Sequence, residues 1–218
     1  MSYELHWEVL WQYRQLLLDG LTVTVELSGI ALGLSLLIGG VVGTLRPFAS
    51  GAAAALLAAY TEFFRNVPPI VQFFFWYFAV GLDSFTGAVV GLSAFQGAYI
   101  AEAFRSGIQA IPKTQIEAAR SSGMSFLAMM RHVIVPQAVI RIVPALSIEF
   151  INVIKNSSVA MTIAVTELTF QSQEIEARTF RGFEAATAVT LIYIALAFVV
   201  VFAMRRLERS FRIELRGG

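Results

Sequence analysis

Tyr99, Glu102 and Ser106 stand at helical spacing inside an apolar run, and Glu149, Asn152 and Asn156 repeat that spacing further along, with Lys155 at the edge of the second set. At i, i+3 and i+7 each set occupies one face of a helix. Acid, amide and ammonium groups at membrane depth do not face lipid, so each stripe faces either a polar pathway or polar packing between helices. Upstream, Glu62 and Arg65 precede Pro68-Pro69; one turn apart, they either clamp each other or offer a guanidinium to a carboxylate. Catalysis has little to work with. The two histidines, His6 and His132, both lie outside the apolar runs, which excludes an intramembrane Ser-His pair or an imidazole metal site. There is no HExxH and no GxxxxGK[ST], and with no cysteine there is no disulfide framework or thiolate ligation. The expectation is a chain that is not an enzyme and binds no metal or cofactor of its own.

The elements that must hold these stripes are membrane helices. The chain is 57% hydrophobic and 14% charged, against about 25% charged for a soluble domain. A hydrocarbon layer about 30 Å thick needs about 20 apolar helical residues. Five spans fit, over about 21–45, 52–80, 88–108, 139–165 and 185–204, in one all-α membrane domain covering 1–218. Trp7, Trp11 and Tyr13 among Glu4, Glu8 and Arg14 mark residues 1–18 as an interfacial helix, and no basic-then-apolar pattern there resembles a cleaved signal peptide. Two glycine pairs in the first span, Gly29 with Gly33 and Gly39 with Gly43, allow close helix approach, while Pro68-Pro69 breaks the second span near its middle. With the N-terminus outside and the C-terminus cytoplasmic, eleven of the 16 Lys and Arg lie on the cytoplasmic side, against Arg14, Arg178 and Arg181 outside, as the positive-inside rule requires. A net charge of +1 argues against a nucleic-acid partner.

The cytoplasmic loop over 112–136 carries its own pattern, EAARSSGMSFLAMMRHVIVP from Glu117 to Pro136. Thr114 with Glu117 three residues on reads as a capping box opening a short helix. Ala118 and Ala119 give that helix a slim face, Gly123 permits a sharp turn, Phe126, Met129 and Met130 supply apolar contacts for a second short helix, and Pro136 ends the excursion.

Glu117, Ala118, Ala119, Gly123 and Pro136 fall position for position on the EAA loop of ABC importer permeases, with Val133 and Val135 replacing Ile and Leu. Three further stretches, EFFRNVPP from Glu62, YIAE from Tyr99 and KNSS from Lys155, resemble the polar amino acid importers of that family. The resemblance covers nearly the whole chain. It implies the type I ABC importer permease fold in a bacterial inner membrane, and it assigns Glu117, Ala118, Ala119, Gly123 and Pro136 to coupling with an ATPase. Implied partners are a second permease subunit, the same or homologous, two ATP-binding subunits that use ATP and Mg, an extracytoplasmic amino-acid-binding protein, and membrane lipid. It also points to Glu102 and Asn156 as substrate contacts, with Tyr99, Asn152, Lys155 and Arg65 beside them. Glu102 would accept an α-ammonium in a charge-assisted bond and Arg65 would answer an α-carboxylate, unless Arg65 pairs permanently with Glu62. Related importers carry aspartate at the position of Asn156, and an uncharged amide beside Lys155 favours acidic or amide amino acids over cationic ones. An ion-coupled secondary transporter and a membrane scaffold are the alternatives; the first usually needs more spans and internal repeats, and the second leaves the polar stripes unexplained.

Overall fold

The computed structural model describes residues 4–214, and among them every regular element is helical. A five-residue helix, α1 (Glu8–Gln12), precedes α2 (Arg14–Leu45). The interfacial helix expected over 1–18 is therefore shorter, because the membrane helix already begins at Arg14; residues 1–3, and Arg216 at the other end, lie outside the described residues. After a 3-10 turn (Arg46–Phe48) come α3 (Gly51–Asn66) and α4 (Pro69–Phe74), the latter running into a π-helical turn (Phe75–Ala79). α5 spans Ser84–Gln109. The loop folds as α6 (Lys113–Ser121) and α7 (Phe126–Met129), followed by a π-helical turn (Met130–Ile134), α8 (Val135–Ser157) and a 3-10 turn (Ser158–Ile163). α9 (Leu168–Thr179) and α10 (Gly182–Glu214) complete the chain.

Among the described residues three helical runs are long and apolar enough to cross a membrane, Arg14–Phe48, Phe126–Ile163 and Gly182–Ser210. The other two expected spans differ for visible reasons. The stretch 52–80 is interrupted where Pro68, extended at φ −55° and ψ 143°, separates α3 from α4; proline restricts the residue before it and cannot donate to the preceding turn. The Gln72 side-chain amide donates to the Val67 carbonyl at 3.0 Å, one of the ways a broken membrane helix re-satisfies its backbone. α5 has 26 residues, but Gln96, Tyr99 and Glu102 dilute its apolar run. Pro136 does not end a helix. The π turn ahead of it carries the helical run straight into α8.

Contacts gather the chain into two compact units. The first contains the residues up to Gly33, Val67–Ser93 and Ile151–Val199. Its core is built on Leu27, Ala31, Phe73, Leu92, Val153 and Ile163. At its edge the buried Glu167 caps α9, its carboxylate accepting the Thr169 and Phe170 amides at 2.9 and 2.8 Å and the Tyr193 hydroxyl at 2.6 Å. The second unit contains Leu34–Asn66, Ala94–Phe150 and the residues from Val200. There α2 and α5 touch through glycine: a Cβ on Gly43 would stand 2.2 Å from the Ala101 carbonyl oxygen, and one on Gly39 2.7 Å from that of Gly97. The other expected pair, Gly29 and Gly33, has nothing within 4 Å of either Cβ position.

Candidate functional site

Within the second unit, α3, α5 and α8 line an open cavity of about 350 Å³, formed by Arg65, Tyr99, Glu102, Ser106, Arg141 and Glu149 together with small residues. That volume is at the lower end of the range for small-molecule sites. The α5 stripe thus lines the cavity as its spacing requires, and Glu149 faces it from α8. The Tyr99 hydroxyl donates to the Arg65 backbone carbonyl at 3.3 Å, and the Arg65 guanidinium lies 5.2 Å from the Tyr99 ring centre, a cation–π arrangement. The Nε of Arg65 is buried with no hydrogen-bond partner. The Gln96 side-chain amide donates to the Glu149 carboxylate at 2.5 Å.

Glu102 is surrounded by guanidinium groups. Arg105, one turn further along α5, grips both carboxylate oxygens, with Nε 2.9 Å from Oε2 and Nη2 on Oε1. Arg46, the first residue of the 3-10 turn after α2, approaches Oε2 at 3.4 Å, and Arg65 reaches the same oxygen at 3.8 Å. Arg46 is itself held by the buried Thr61 hydroxyl at 2.8 Å and by Glu62 at 3.6 Å. The pairing of Glu62 with Arg65 considered from sequence is replaced: Glu62 meets Arg46, and Arg65 turns to Glu102. Three guanidiniums therefore share two carboxylates, Glu62 and Glu102. Sequence reasoning missed Arg46 and Arg105 as site residues. Arg105 stood at i+3 from Glu102, a spacing that pairs opposite charges on a helix; nothing local announces Arg46.

The remaining predicted contacts are not brought into this cavity. Asn152, Lys155 and Asn156 lie further along α8, in the first unit; Asn152 and Asn156 are half-buried and Lys155 is exposed.

The loop has the two expected short helices, but its first cap differs. Pro112 takes the N-cap position and no side chain caps α6, so Thr114 sits inside the helix and the capping box does not form. The turn after α6 is as expected. Gly123 adopts φ +76°, its amide donates to the Arg120 carbonyl at 2.9 Å, and the Met124 amide returns to the Ala119 carbonyl at 3.2 Å, the paired bonds of a Schellman ending. Glu117 and Ala118 face outward, whereas Ala119 is 6% exposed and packs inside the unit. A slim outer face therefore consists of Ala118 without Ala119. Met124, Phe126 and Leu127, the last 77% exposed, leave an apolar edge beside it. A larger recess of about 500 Å³, lined by Phe48, Ile108, Lys113 and Ile116 among others, lies next to α6.

Comparison with known proteins gives a consistent result. Residues 28–213 match the family described as binding-protein-dependent transport system inner membrane component. The Glutamine transport system permease protein GlnP of Escherichia coli (strain K12) is 37% identical over 214 residues, 95% of this chain and 98% of that protein. The Glutamate/aspartate import permease protein GltJ of the same strain is 30% identical over 213 residues, 89% of this chain and 87% of that protein. Among solved structures, a crystal structure of an amino acid ABC transporter with histidines is similar at a TM-score of 0.88 and 31% identity, covering 95% of this chain and 100% of the other.

Proposed function

This chain belongs to the family of binding-protein-dependent transport system inner membrane components, as an ABC importer permease of the polar amino acid type, and on that premise we propose that it translocates acidic or amide L-amino acids across a bacterial inner membrane. In this reading it has five spans, α3 with α4 and α5 completing the three apolar ones, with the N-terminus outside and the C-terminus cytoplasmic. It pairs with a second permease subunit, its own copy or a homologue. Two ATP-binding subunits dock against α6 and α7 and use ATP and Mg, and an extracytoplasmic binding protein delivers the substrate.

The observation that carries the reading is the cavity lined by Arg65, Tyr99, Glu102 and Glu149. The Arg65 guanidinium, partly exposed in this lining, offers a substrate α-carboxylate a charge-assisted bond. Glu149, in the same lining, is the carboxylate that would receive the α-ammonium, because Glu102 is already engaged by Arg105, Arg46 and Arg65. Asn152, Lys155 and Asn156 form a second contact set further along α8, where the amide of Asn156 beside Lys155 offers no anion to a cationic side chain. Relatives named for glutamine and for glutamate and aspartate agree with this class. The similar structure with histidines supplies the competing substrate.

The test is uptake competition in proteoliposomes containing the full complex, for wild type and Asn156→Asp. Glutamine and glutamate should compete and arginine should not, with Asn156→Asp gaining arginine. Competition by arginine or histidine but not by glutamine, glutamate or aspartate in the wild type would reject the class.

A further inference from the structure

Glu102 is the acidic member of the α5 stripe and the natural place for a second positive charge on a substrate. Its two oxygens are nevertheless engaged from three directions, by Arg105 on both, by Arg46 at 3.4 Å and by Arg65 at 3.8 Å. Arg46 cannot easily turn away, since Thr61, itself fully buried, accepts from the same Nη1 at 2.8 Å and Glu62 takes Nη2 at 3.6 Å. All five charged groups belong to the second unit, and Arg65 and Glu102 line its cavity. With three guanidiniums against two carboxylates, this cluster, of which Arg65 and Glu102 reach the cavity, carries surplus positive charge. Like charges brought together beside protein repel more than in bulk water, so a guanidinium or ammonium side chain arriving there meets repulsion and no available carboxylate on Glu102.

We propose that Arg46 and Arg105 are specificity-determining residues of this permease: by committing Glu102 to guanidinium pairs they exclude amino acids with cationic side chains, and removing either guanidinium admits arginine and lysine. The inference rests on the amino acid substrate reading above but concerns a different residue set from Asn156. Exclusion in this form is built from a repulsive element as well as an attractive one.

The test is equilibrium binding of radiolabelled glutamine to the purified permease–ATPase complex without its binding protein, so that the membrane site alone selects. Arginine, lysine and glutamate serve as competitors. In the wild type, glutamine should be displaced by glutamate and not by arginine. Arg105→Gln and Arg46→Gln should each improve competition by arginine at least about tenfold, about 1.4 kcal/mol. Adding Glu102→Gln to either should remove the gain, and Arg105→Lys, which keeps the charge, should restore exclusion. Should Arg105→Gln fail to assemble, Arg46→Gln, which leaves the Arg105 pair intact, carries the test. A wild-type complex that binds glutamine while neither glutamine variant gains arginine overturns the specificity assignment alone. A wild-type complex that binds neither glutamine nor glutamate overturns it together with the substrate reading.

Discussion

Replacing Gly123 tests whether the turn after α6 is part of the coupling machinery. The backbone there has φ +76°, a left-handed conformation that costs a residue with a Cβ about 1–2 kcal/mol. No atom lies within 4 Å of where that Cβ would stand, so the cost is conformational and is not compounded by a clash. Gly123→Ala should therefore shift the balance between the capped and opened turn by about 5- to 30-fold, Gly123→Val by more, and Gly123→Asn least, because asparagine tolerates this conformation. The rest of the unit is untouched, so insertion and thermal stability of the purified chain should change little. The assay is substrate-stimulated ATPase and uptake by the reconstituted complex, which should fall in the order Gly, Asn, Ala, Val. Wild-type coupling in Gly123→Val, or equal loss in the asparagine and valine variants, would refute the argument that this backbone conformation transmits the motion.

Gly43→Ala should sharply reduce the yield of folded protein, since its Cβ would be forced to 2.2 Å from the Ala101 carbonyl oxygen, whereas Gly29→Ala, with nothing within 4 Å, should melt like the wild type in detergent. Glu167→Ala should cost about 1–2 kcal/mol for the lost cap on α9, read as a lower unfolding temperature. Burial pushes the Glu167 carboxyl above its ordinary value despite the hydrogen bonds from Thr169, Tyr193 and Phe170 that oppose the shift. The unfolded chain therefore releases that proton first as pH rises, stability falls from the usual carboxylate range up through the raised value, and Glu167→Gln should flatten that slope in melts across mildly acid to neutral pH. Single cysteines replacing Asp83 and Glu174 should react with an impermeant maleimide in intact cells with the outer barrier opened, and those replacing Lys113 and Arg209 should not; labelling at Arg209 contradicts the orientation.

Much of the scaffold was legible because it depends on local rules. Pro68-Pro69 breaks its helix wherever the chain goes, Gly123 closes α6 because that ending favours glycine, and Tyr99, Glu102 and Ser106 share a face through helical spacing alone. The capping box failed because Pro112 already occupies the N-cap, a competition between two local signals that residue identity does not rank. Ala119 was expected at a partner's surface, but its burial follows from how α6 lies against its own unit. The Arg46 approach to Glu102 joins residues 56 positions apart, and no periodicity within either helix encodes it. The α8 stripe was correct as a helical face, yet it passes from one compact unit to the other between Phe150 and Ile151, so Glu149 joins the cavity while Asn152 and Asn156 do not. Of the glycine pairs, the motif was the same in both, and only the register of α5 made Gly39 and Gly43 the points of closest approach.

On the proposed function, this chain is the membrane pathway of an ATP-driven amino acid importer and draws its energy from another polypeptide. The most direct measurement is uptake of radiolabelled glutamine and glutamate into proteoliposomes carrying the chain with its co-purified ATP-binding subunits and binding protein, with ATP inside or withheld, and with or without an imposed proton or sodium gradient. Uptake that requires ATP, ignores the gradients and is lost in Glu117→Lys without loss of assembly is the predicted result. Uptake driven by an ion gradient in liposomes holding this chain alone would contradict it.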